Sequence, residues 1–354
     1  MLITKIKLTN YRNHELLELK FNGQSFIIKG PNGIGKSNIL EAIHLVSTTK
    51  SLRTKYDRDL INHNADVAHI EIVVKDQGSK PQLAFEEELM LSIQKSQTYP
   101  NASKKVVKIN KVPKALRDFS GKIKSVLFTP DDLDILSGPP SDRRKYIDAI
   151  MFQSNESYKS AHLKYTKAIR HRNKILEKIA KTGHGHNLLP VWNEIILLNG
   201  EIIQKNRREL FEILGKKAQV YLEELDPQNS RLKINYLENH ISEKRLEEYS
   251  QKEIYTRSTL VGPHRDDFEV DYNNYNSAFF SSRGQQRTIM LAIKMAEMDH
   301  IAQATGIRPI LLLDDIFSEL DPKHKEAVMN ITNLQQTIIT TAIDSKNGLE
   351  IGAL

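Results

Sequence analysis

Residues 30–37 read GPNGIGKS, which fits the pattern G-x-x-x-x-G-K-[ST] of a phosphate-binding loop. The glycines of such a loop let the backbone curl until successive N–H groups point at one anion. Lys36 is expected to reach the β- and γ-phosphates of a nucleotide, and the Ser37 hydroxyl to hold Mg²⁺. The loop residues predicted to bind the nucleotide are Gly30, Pro31, Asn32, Gly33, Ile34, Gly35, Lys36 and Ser37.

A second segment supplies the carboxylates that such a site needs. Four apolar residues at 310–313 predict a buried strand, and Asp314 and Asp315 follow it directly. Asp314 would reach the Mg²⁺ that Ser37 holds, and Asp315 would orient or deprotonate an attacking water. We therefore predict Lys36, Asp314 and Asp315 as catalytic residues. Ser37 and Asp314 are the predicted Mg²⁺ ligands; the alternative is a buried strand that ends in a solvated acidic turn.

A strand and a helix must position the phosphate loop. Residues 26–29 form a largely apolar run that predicts a central strand. After the loop, apolar residues recur at helical spacing, which predicts a helix buried on one side. They are Ile39, Leu40, Ile43 and Val46.

Alternating segments predict further strands, and those after the helix suggest an antiparallel meander. The predicted strands lie at 2–8, 17–21, 69–76, 83–93 and 104–112. Arg12 lies between the first two. It could fold back onto a nucleotide or sit in a solvated turn.

From residue 141 to about 252 the pattern becomes mostly helical. One predicted helix carries a basic stretch at 164–181, which is either a DNA-contacting face or a solvated surface. Pro190 fits the first turn of the next helix, which we expect to end near Gly215. Its predicted apolar face consists of Val191, Ile195, Leu198 and Ile202. The two helices would form a short antiparallel arm.

The composition narrows the class of protein. The chain has 354 residues, a formal net charge of +7 and no cysteine. Disulfides and thiolate metal sites are therefore excluded, which suits a reducing cytosol. The sequence lacks a transmembrane run of about 18 apolar residues and the apolar core of a signal peptide, so we expect a cytoplasmic protein. The positive charge favours a polyanionic partner, either nucleic acid or a membrane surface.

Residues 282–285, SRGQ, open another predicted helix and resemble the LSGGQ signature of ABC-type ATPases. Ser282, Gly284 and Gln285 match the signature, whereas Ser281 and Arg283 do not. The resemblance implies that these three residues meet the γ-phosphate bound to a second subunit, so that ATP joins two subunits head to tail. For the isolated tetrapeptide, a plain helix cap is the alternative.

The motifs together resemble the RecF family of bacterial recombinational-repair ATPases. The RecF-like segments are NYRN at 10–13, SLRT at 51–54, PD at 130–131, GPPSDRRKYID at 138–148, GPHRDD at 262–267 and DIFSELD at 315–321. They follow the family order over nearly the whole chain, and SELD at 318–321 also resembles the ABC D-loop. Arg12 belongs to the first segment and is therefore included among the nucleotide-binding residues.

The resemblance implies an α/β fold, namely a P-loop ABC-type ATPase head with a mixed sheet, an antiparallel β meander and an inserted helical second lobe. We expect residues 1–130 to form the N-terminal part of ATPase lobe I. Residues 131–280 would form the helical lobe II with its arm. Residues 281–354 would contain the signature helix, the Walker B strand and the C-terminal part of lobe I.

The resemblance also implies ATP and Mg²⁺ as cofactors and an ATP-dependent homodimer that binds double-stranded DNA near single-strand gaps. Slow hydrolysis would release the DNA, and RecR, together with RecO, would be partners in RecA loading; no membrane partner is implied. Two departures from the ABC pattern favour a switch over a motor. Asp315 replaces the usual glutamate, and Thr340 and Thr341 stand where a histidine would follow the last strand.

Several alternatives stay open at this point. Arg143 and Arg144 could contact a nucleotide, DNA or another domain, and His264 suits a structural or interface role better than metal binding. The rival functions are a transporter ATPase subunit, an SMC-like tethering head and a nucleotide-dependent nuclease. The RecF-like segments, the lack of long heptads and the lack of a further acidic cluster argue against each in turn.

Overall fold

The structure is a computed structural model that divides into two compact units, Met1–Leu133 with Lys294–Leu354, and Asp134–Ile293. The residues that it describes are 2–51, 53–54, 56–76, 85–99, 102–227, 230–315, 325–326, 328, 332, 334–341 and 349–350. The strands are β1 Leu2–Tyr11, β2 His14–Lys20, β3 Ser25–Lys29, β4 Val67–Asp76, β5 Phe85–Lys95, β6 Ser103–Ile109, β7 Val112–Lys114, β8 Ser125–Phe128, β9 Leu232–Leu237, β10 Asp267–Tyr272, β11 Tyr275–Asn276, β12 Ile310–Asp314, β13 Thr337–Thr341 and β14 Leu349–Glu350. The helices are α1 Lys36–Thr48, α2 Leu116–Phe119, α3 Asp134–Ser137, α4 Pro140–Ser154, α5 Glu156–Thr182, α6 Leu189–Leu225, α7 Glu243–Thr256, α8 Ser277–Phe280 and α9 Arg283–Thr305.

The first unit contains an antiparallel six-stranded sheet in the order β2-β1-β4-β5-β6-β7. A β-bulge between Ile3 and Lys5 shifts the register of β1, so that Ile3 and Ile6 are both buried although they are three residues apart. The single strand expected at 104–112 is wrong. Asn110 and Lys111 both have positive φ and form a two-residue turn between β6 and β7.

A second, parallel sheet of the first unit carries the predicted site elements, in the order β14-β3-β13-β12-β8. Every residue of β8, β12 and β13 is buried, which explains their near-continuous apolar sequences. Strands β3 and β12 run parallel on either side of β13. The phosphate loop after β3 and the carboxylate at the end of β12 therefore lie at the same edge of this sheet.

Helix α1 packs against both sheets of the first unit, with contacts to β4 and β5 on one side and β8, β12 and β13 on the other. Its residues from Ile39 to Thr48 are all buried. The expectation of a helix buried on one side is therefore wrong. The polar residues Glu41, His44 and Ser47 are enclosed as well and find partners inside the unit.

The second unit is built from α4, α5, α6 and α7 together with the small antiparallel sheet β11-β10-β9. Helices α5 and α6 are joined by a short loop that contains Gly183 and pack along each other as a hairpin. This unit ends at Ile293, so the first part of α9 belongs to it. The expected α/β fold with an antiparallel meander and a helical second lobe is confirmed.

Helix α6 differs from its prediction at its end and in its buried face. It continues through Gly215 to Leu225, because packing of Phe211 and Leu222 outweighs the cost of about 1 kcal/mol for a glycine inside a helix. Its buried face also lies elsewhere, since Val191 and Leu198 are exposed. The residues that are buried between its start and Gln204 are Leu189, Ile196, Asn199, Gly200, Ile203 and Gln204.

Gly200 shows why the contact lies on that side of α6. A Cβ at this position would come within 2.9 Å of Ile241 and 3.3 Å of Tyr165. The missing side chain thus allows these two residues to approach the helix closely. Among the described residues, no helix is both long enough and apolar enough to cross a membrane.

Candidate nucleotide site

The phosphate loop lies between the end of β3 and the start of α1. Gly33 and Gly35 have φ values of 85° and 103°, which L side chains rarely adopt, so the loop needs glycine at both positions. The Lys36 ammonium donates to the carbonyl oxygens of Gly30 at 2.6 Å and Pro31 at 3.0 Å. The side chain therefore bends back over the loop, next to the N–H groups that suit a phosphate.

The predicted Mg²⁺ ligands come together at the same edge of the sheet. The Ser37 hydroxyl donates to Asp314 Oδ1 at 2.7 Å, although the two residues are far apart in sequence. The Thr340 hydroxyl donates to the same carboxylate oxygen, also at 2.7 Å. Carboxylate and hydroxyl oxygens are the ligands that Mg²⁺ prefers, so this group fits the predicted metal.

Asp315 follows Asp314 in an unusual backbone conformation. Its φ of 48° lies in the left-handed region, which is uncommon for residues other than glycine and often marks functional sites. The Asp315 N–H lies 3.1 Å from both the carbonyl oxygen and the hydroxyl oxygen of Thr340. Thr340 thus links the two acids, a role that sequence reasoning missed because it recorded this position only as lacking a histidine.

The turn between β1 and β2 forms hydrogen bonds with carbonyl groups of the phosphate loop, a contact that the sequence did not indicate. Asn13 Nδ2 donates to the carbonyl of Ile34 at 2.9 Å and lies 3.4 Å from that of Gly33. His14 Nε2 lies 3.0 Å from the carbonyl of Gly35. Burial lowers the pKa of His14, so the ring is neutral and donates through Nε2–H.

These contacts orient the loop. Within one trans peptide unit, the C=O of a residue and the N–H of the next residue point in opposite directions. Holding the carbonyls of Ile34 and Gly35 on the hairpin side therefore turns the N–H groups of Gly35 and Lys36 away from the hairpin, where they can face an anion. The turn also explains the need for glycine at position 35. A Cβ there would lie 2.5 Å from both Asn13 Oδ1 and His14 Nε2.

Arg12 neither sits in a solvated turn nor projects freely toward the loop. Its Nε and Nη2 donate to the two carboxylate oxygens of Glu41 at 3.0 and 2.8 Å. Glu41 is buried in α1 and also accepts from the Ser51 hydroxyl at 2.7 Å. The structure thus places Arg12 in a bidentate ion pair with the loop helix. Its assignment to the nucleotide stays a prediction.

The signature-like segment lies at the start of α9. The Ser282 N–H donates to Gln285 Oε1 at 2.8 Å, and the Gln285 N–H donates to Ser282 Oγ at 3.3 Å. This reciprocal pair is a capping box, so the helix-cap alternative describes the local geometry. Ser282, Gly284 and Gln285 are all exposed and open to a partner. The predicted D-loop at 318–321 lies outside the described residues.

The two arginines of the RecF-like segment at 138–148 have partners within the second unit. Arg143 forms a bidentate ion pair with Asp267 at 2.6 and 2.7 Å. Arg144 donates to the backbone carbonyl of Asp266 at 2.9 Å. His264 is held by Tyr165 and by the Thr259 carbonyl, and no group of three metal-ligating side chains occurs among the described residues.

The basic stretch on α5 separates into one buried residue and an exposed stripe. Arg172 is buried and pairs with Glu253 at 2.6 Å, so its charge is structural. The other six basic side chains are exposed and recur every three or four residues, which places them along one face of the helix. They are Lys164, Lys167, Arg170, Lys174, Lys178 and Lys181.

The chain matches the family model of the RecF/RecN/SMC N terminal domain over residues 2–347. It is 35% identical over 355 residues to the DNA replication and repair protein RecF of Lactococcus lactis subsp. cremoris (strain MG1363), with 99% of this chain and 95% of that protein covered. The protein of the same name from Natranaerobius thermophilus is 32% identical, with coverages of 98% and 93%.

Solved structures also match this chain. The structure of the recombination mediator protein RecF-ATP in the RecFOR pathway matches with a TM-score of 0.86 and 31% identity, covering 98% of this chain and 93% of that one. An Smc head domain with an extended coiled coil, derived from Pyrococcus furiosus, matches with a TM-score of 0.50 and 16% identity, covering 97% and 90%. The second match concerns the fold alone. The predicted ATPase-head fold is confirmed.

Proposed function

Because this chain belongs to the RecF family of DNA replication and repair proteins, we propose that it is a cytoplasmic, ATP-gated DNA-binding protein of recombinational repair. The observation that carries the proposal is the meeting of Ser37 and Asp314, 2.7 Å apart, beside the phosphate loop. A related protein was solved as RecF-ATP, which supports ATP as the nucleotide. Mg²⁺ would neutralise charge on the β- and γ-phosphates.

In this proposal the chain's own residues bind ATP and prepare it for slow hydrolysis. The Lys36 ammonium exchanges its loop carbonyls for phosphate oxygens, and the loop N–H groups complete the cradle. Asp315 orients the attacking water. Its side chain is one methylene shorter than the glutamate usual in ABC ATPases, which favours a low turnover and a long-lived ATP state.

ATP would also join two copies of the chain. The exposed segment 282–285 of one copy would face the phosphate loop of the other, with Ser282 and the helix N-terminus near the γ-phosphate. The dimer would then bind double-stranded DNA near single-strand gaps, and hydrolysis would release it. RecR, together with RecO, would act with it in RecA loading.

The exposed stripe on α5 is the surface that we propose for duplex DNA. It extends over 17 residue steps from Lys164 to Lys181, or about 25 Å at the helical rise. Such a length can follow several backbone phosphates. Removing Lys174 and Lys178 together should lower the slope of log affinity against log salt by about two, since each lost phosphate contact removes about 0.9. The matched control is Lys205→Ala on α6, an exposed lysine outside the stripe.

Light scattering with and without ATP tests the dimer. The wild type should double its mass with ATP, and Lys36→Met should lose both nucleotide binding and dimerisation. Ser282→Arg should bind ATP within about threefold of wild type yet stay monomeric, since in this proposal Ser282 meets the nucleotide bound to the other copy and not its own. Ser160→Arg, an exposed position on α5, controls for the added charge. ATP-driven dimers of Ser282→Arg would contradict the signature assignment.

A further inference from the structure

The second unit contains a cavity of about 280 Å³ between α4, α5, α6 and the turn Pro263–Arg265. Two RecF-like segments that the nucleotide site does not use, 138–148 and 262–267, meet around it. The cavity therefore gathers the motifs whose role the sequence left open.

In one part of the cavity wall, the polar groups form hydrogen bonds with one another. Burial lowers the pKa of His264 to about 4, so the ring is neutral. It donates through Nε2–H to the Thr259 carbonyl at 2.9 Å and accepts from the Tyr165 hydroxyl at Nδ1, 2.7 Å away. These groups use their hydrogen-bonding capacity on one another and need no ligand.

The carboxylate in the wall is also fully engaged. Asp148 accepts from Arg207 Nη2 at 3.1 Å and from the Tyr158 hydroxyl at 2.6 Å. His162 Nε2 lies 3.0 Å from its other oxygen. Asp148 is therefore poorly placed to neutralise another cation.

The opposite part of the wall carries one cation with a carboxylate partner and one without. Lys145 pairs with Asp142 at 2.7 Å. Ser141, Arg144 and Lys145 lie at i, i+3 and i+4 of α4, on one face of the helix. Arg144 is half-buried, donates to the backbone carbonyl of Asp266, and has no carboxylate within 4.0 Å among the described residues. Burial, and next the charge of Arg207, lower the pKa of Arg144, although the charges of Asp267 and Asp148 act in the opposite direction.

We propose that this cavity is a phosphate-binding site in which Ser141, Arg144 and Lys145 hold the oxyanion. Its volume is at the lower limit for small-molecule sites, so it suits a single phosphate group better than a whole nucleotide. The guanidinium fork of Arg144 matches phosphate geometry. The phosphate is either a free ion or a phosphodiester of DNA, and the latter source rests on the proposed DNA-binding function.

The test uses a pair of matched substitutions. Ser141→Glu places a carboxylate beside Arg144, and the first turn of α4 tolerates an acidic residue because of the helix dipole. Gln251→Glu adds the same charge at an exposed position of α7, outside both the cavity and the basic stripe on α5. Both variants should melt within about 2 °C of the wild type, as expected for surface changes.

The first arm measures thermal stability against inorganic phosphate at constant ionic strength, in a Lys36→Met background that removes the phosphate loop's contribution. Phosphate near saturation should raise the melting temperature of the background and of Gln251→Glu by about 3 °C. Ser141→Glu should lose this rise. This arm does not depend on DNA binding, so it separates failure of the site from failure of the proposed function.

The second arm measures binding of a 20-base-pair duplex with ATP, with the Lys36 side chain intact, over a range of salt. Ser141→Glu should weaken binding about tenfold and lower the salt slope by about 0.9, one phosphate contact, whereas Gln251→Glu should keep the slope. The site is supported if Ser141→Glu, but not the control, loses the stabilisation by phosphate in the first arm or binds DNA more weakly in the second. The arm that shows the loss identifies the source of the phosphate. Equal behaviour of the two variants in both arms would overturn the proposed site.

Discussion

The two units use their motif residues in opposite ways. In the first unit, Lys36, Ser37 and Asp314 lie at one edge of the parallel sheet, where we propose that the nucleotide binds. In the second unit, Arg207 and Asp266 neutralise each other and are fully buried. A motif made of charged residues can therefore mark either a ligand site or an internal ion-pair network. The kind of partner distinguishes the two, since Lys36 and Asp314 are buried as well. Asp266 pairs with an arginine, whereas among the described contacts Lys36 donates to backbone carbonyls and Asp314 accepts from hydroxyls.

The largest expected difference concerns two aspartates, one from each unit. Asp266 is fully buried and accepts hydrogen bonds from Arg207, Gln204 and Tyr236. Asp266→Asn should cost about 3 kcal/mol of unfolding free energy, because the new amide donor faces other donors and a buried cation loses a partner. Asp314→Asn should cost less than about 1 kcal/mol but weaken Mg²⁺-dependent ATP binding at least tenfold.

Urea unfolding monitored by circular dichroism and titration with a fluorescent ATP analogue measure the two effects. Equal losses of stability in both variants would contradict the contrast between an internal network and a ligand site.

The second prediction concerns pH and sharpens the description of the second unit. The pKa of His264 falls to about 4 in the folded chain, below its ordinary value of 6.5, mainly because of burial. For a histidine with a lowered pKa, the unfolded state binds the proton more tightly. The stability contribution is therefore complete above about pH 6.5 and is lost progressively as the pH falls toward 4.

A pKa difference of one corresponds to about 1.36 kcal/mol. The fall from 6.5 to about 4 therefore makes this contribution about 3 kcal/mol. His264→Gln should flatten the dependence of unfolding free energy on pH between 6.5 and 4. The same slope in the wild type and in His264→Gln would exclude His264 as its source. His44 in the first unit, whose pKa burial lowers to about 3, should retain its own contribution.

The third prediction tests the proposed role of Asp315 in ATP hydrolysis. Asp315→Asn should reduce ATP hydrolysis about 100-fold, since a positioned base typically contributes at least that factor. ATP binding should stay within about threefold of wild type, and ATP-bound dimers should live longer. Single-turnover hydrolysis and dimer lifetime measure these effects. Turnover at the wild-type rate would show that another group activates the water.

The fourth and smallest prediction concerns the hairpin that holds the phosphate loop. Asn13→Ala should weaken ATP binding about tenfold, because the loop carbonyls of Gly33 and Ile34 lose their donor and the N–H cradle loses its orientation. His14→Gln keeps an N–H donor and should retain most of the affinity, whereas His14→Ala should not. Glu15→Ala, an exposed neighbour, is the control. Unchanged affinity in Asn13→Ala would show that the loop orients itself.

Short-range spacing predicted much of the first unit. The apolar run at 26–29 predicted a strand, the pattern at 30–37 a loop and the apolar spacing after it a helix, and the structure has β3 and α1 at those places. An apolar run followed by an acid predicted β12, which ends at Asp314. These predictions succeeded because the relevant residues are neighbours in sequence.

Long-range contacts could not be predicted in the same way. Arg143 finds Asp267 only after the chain has passed through α5, α6 and β9, and Asn13 contacts a loop about 20 residues away. The path of α6 beyond Gly215 depends on packing that no local propensity contains. The assignment of a charge to an ion pair or to a ligand therefore required the folded structure.

Binding of a short labelled duplex in the presence of ATP, ADP or no nucleotide, each titrated with salt, tests the central claim most directly. The account predicts tight binding only with ATP, an affinity that falls steeply with salt, and loss of both in Lys36→Met. Equal binding in all three nucleotide states would contradict the claim that ATP gates the contact with DNA.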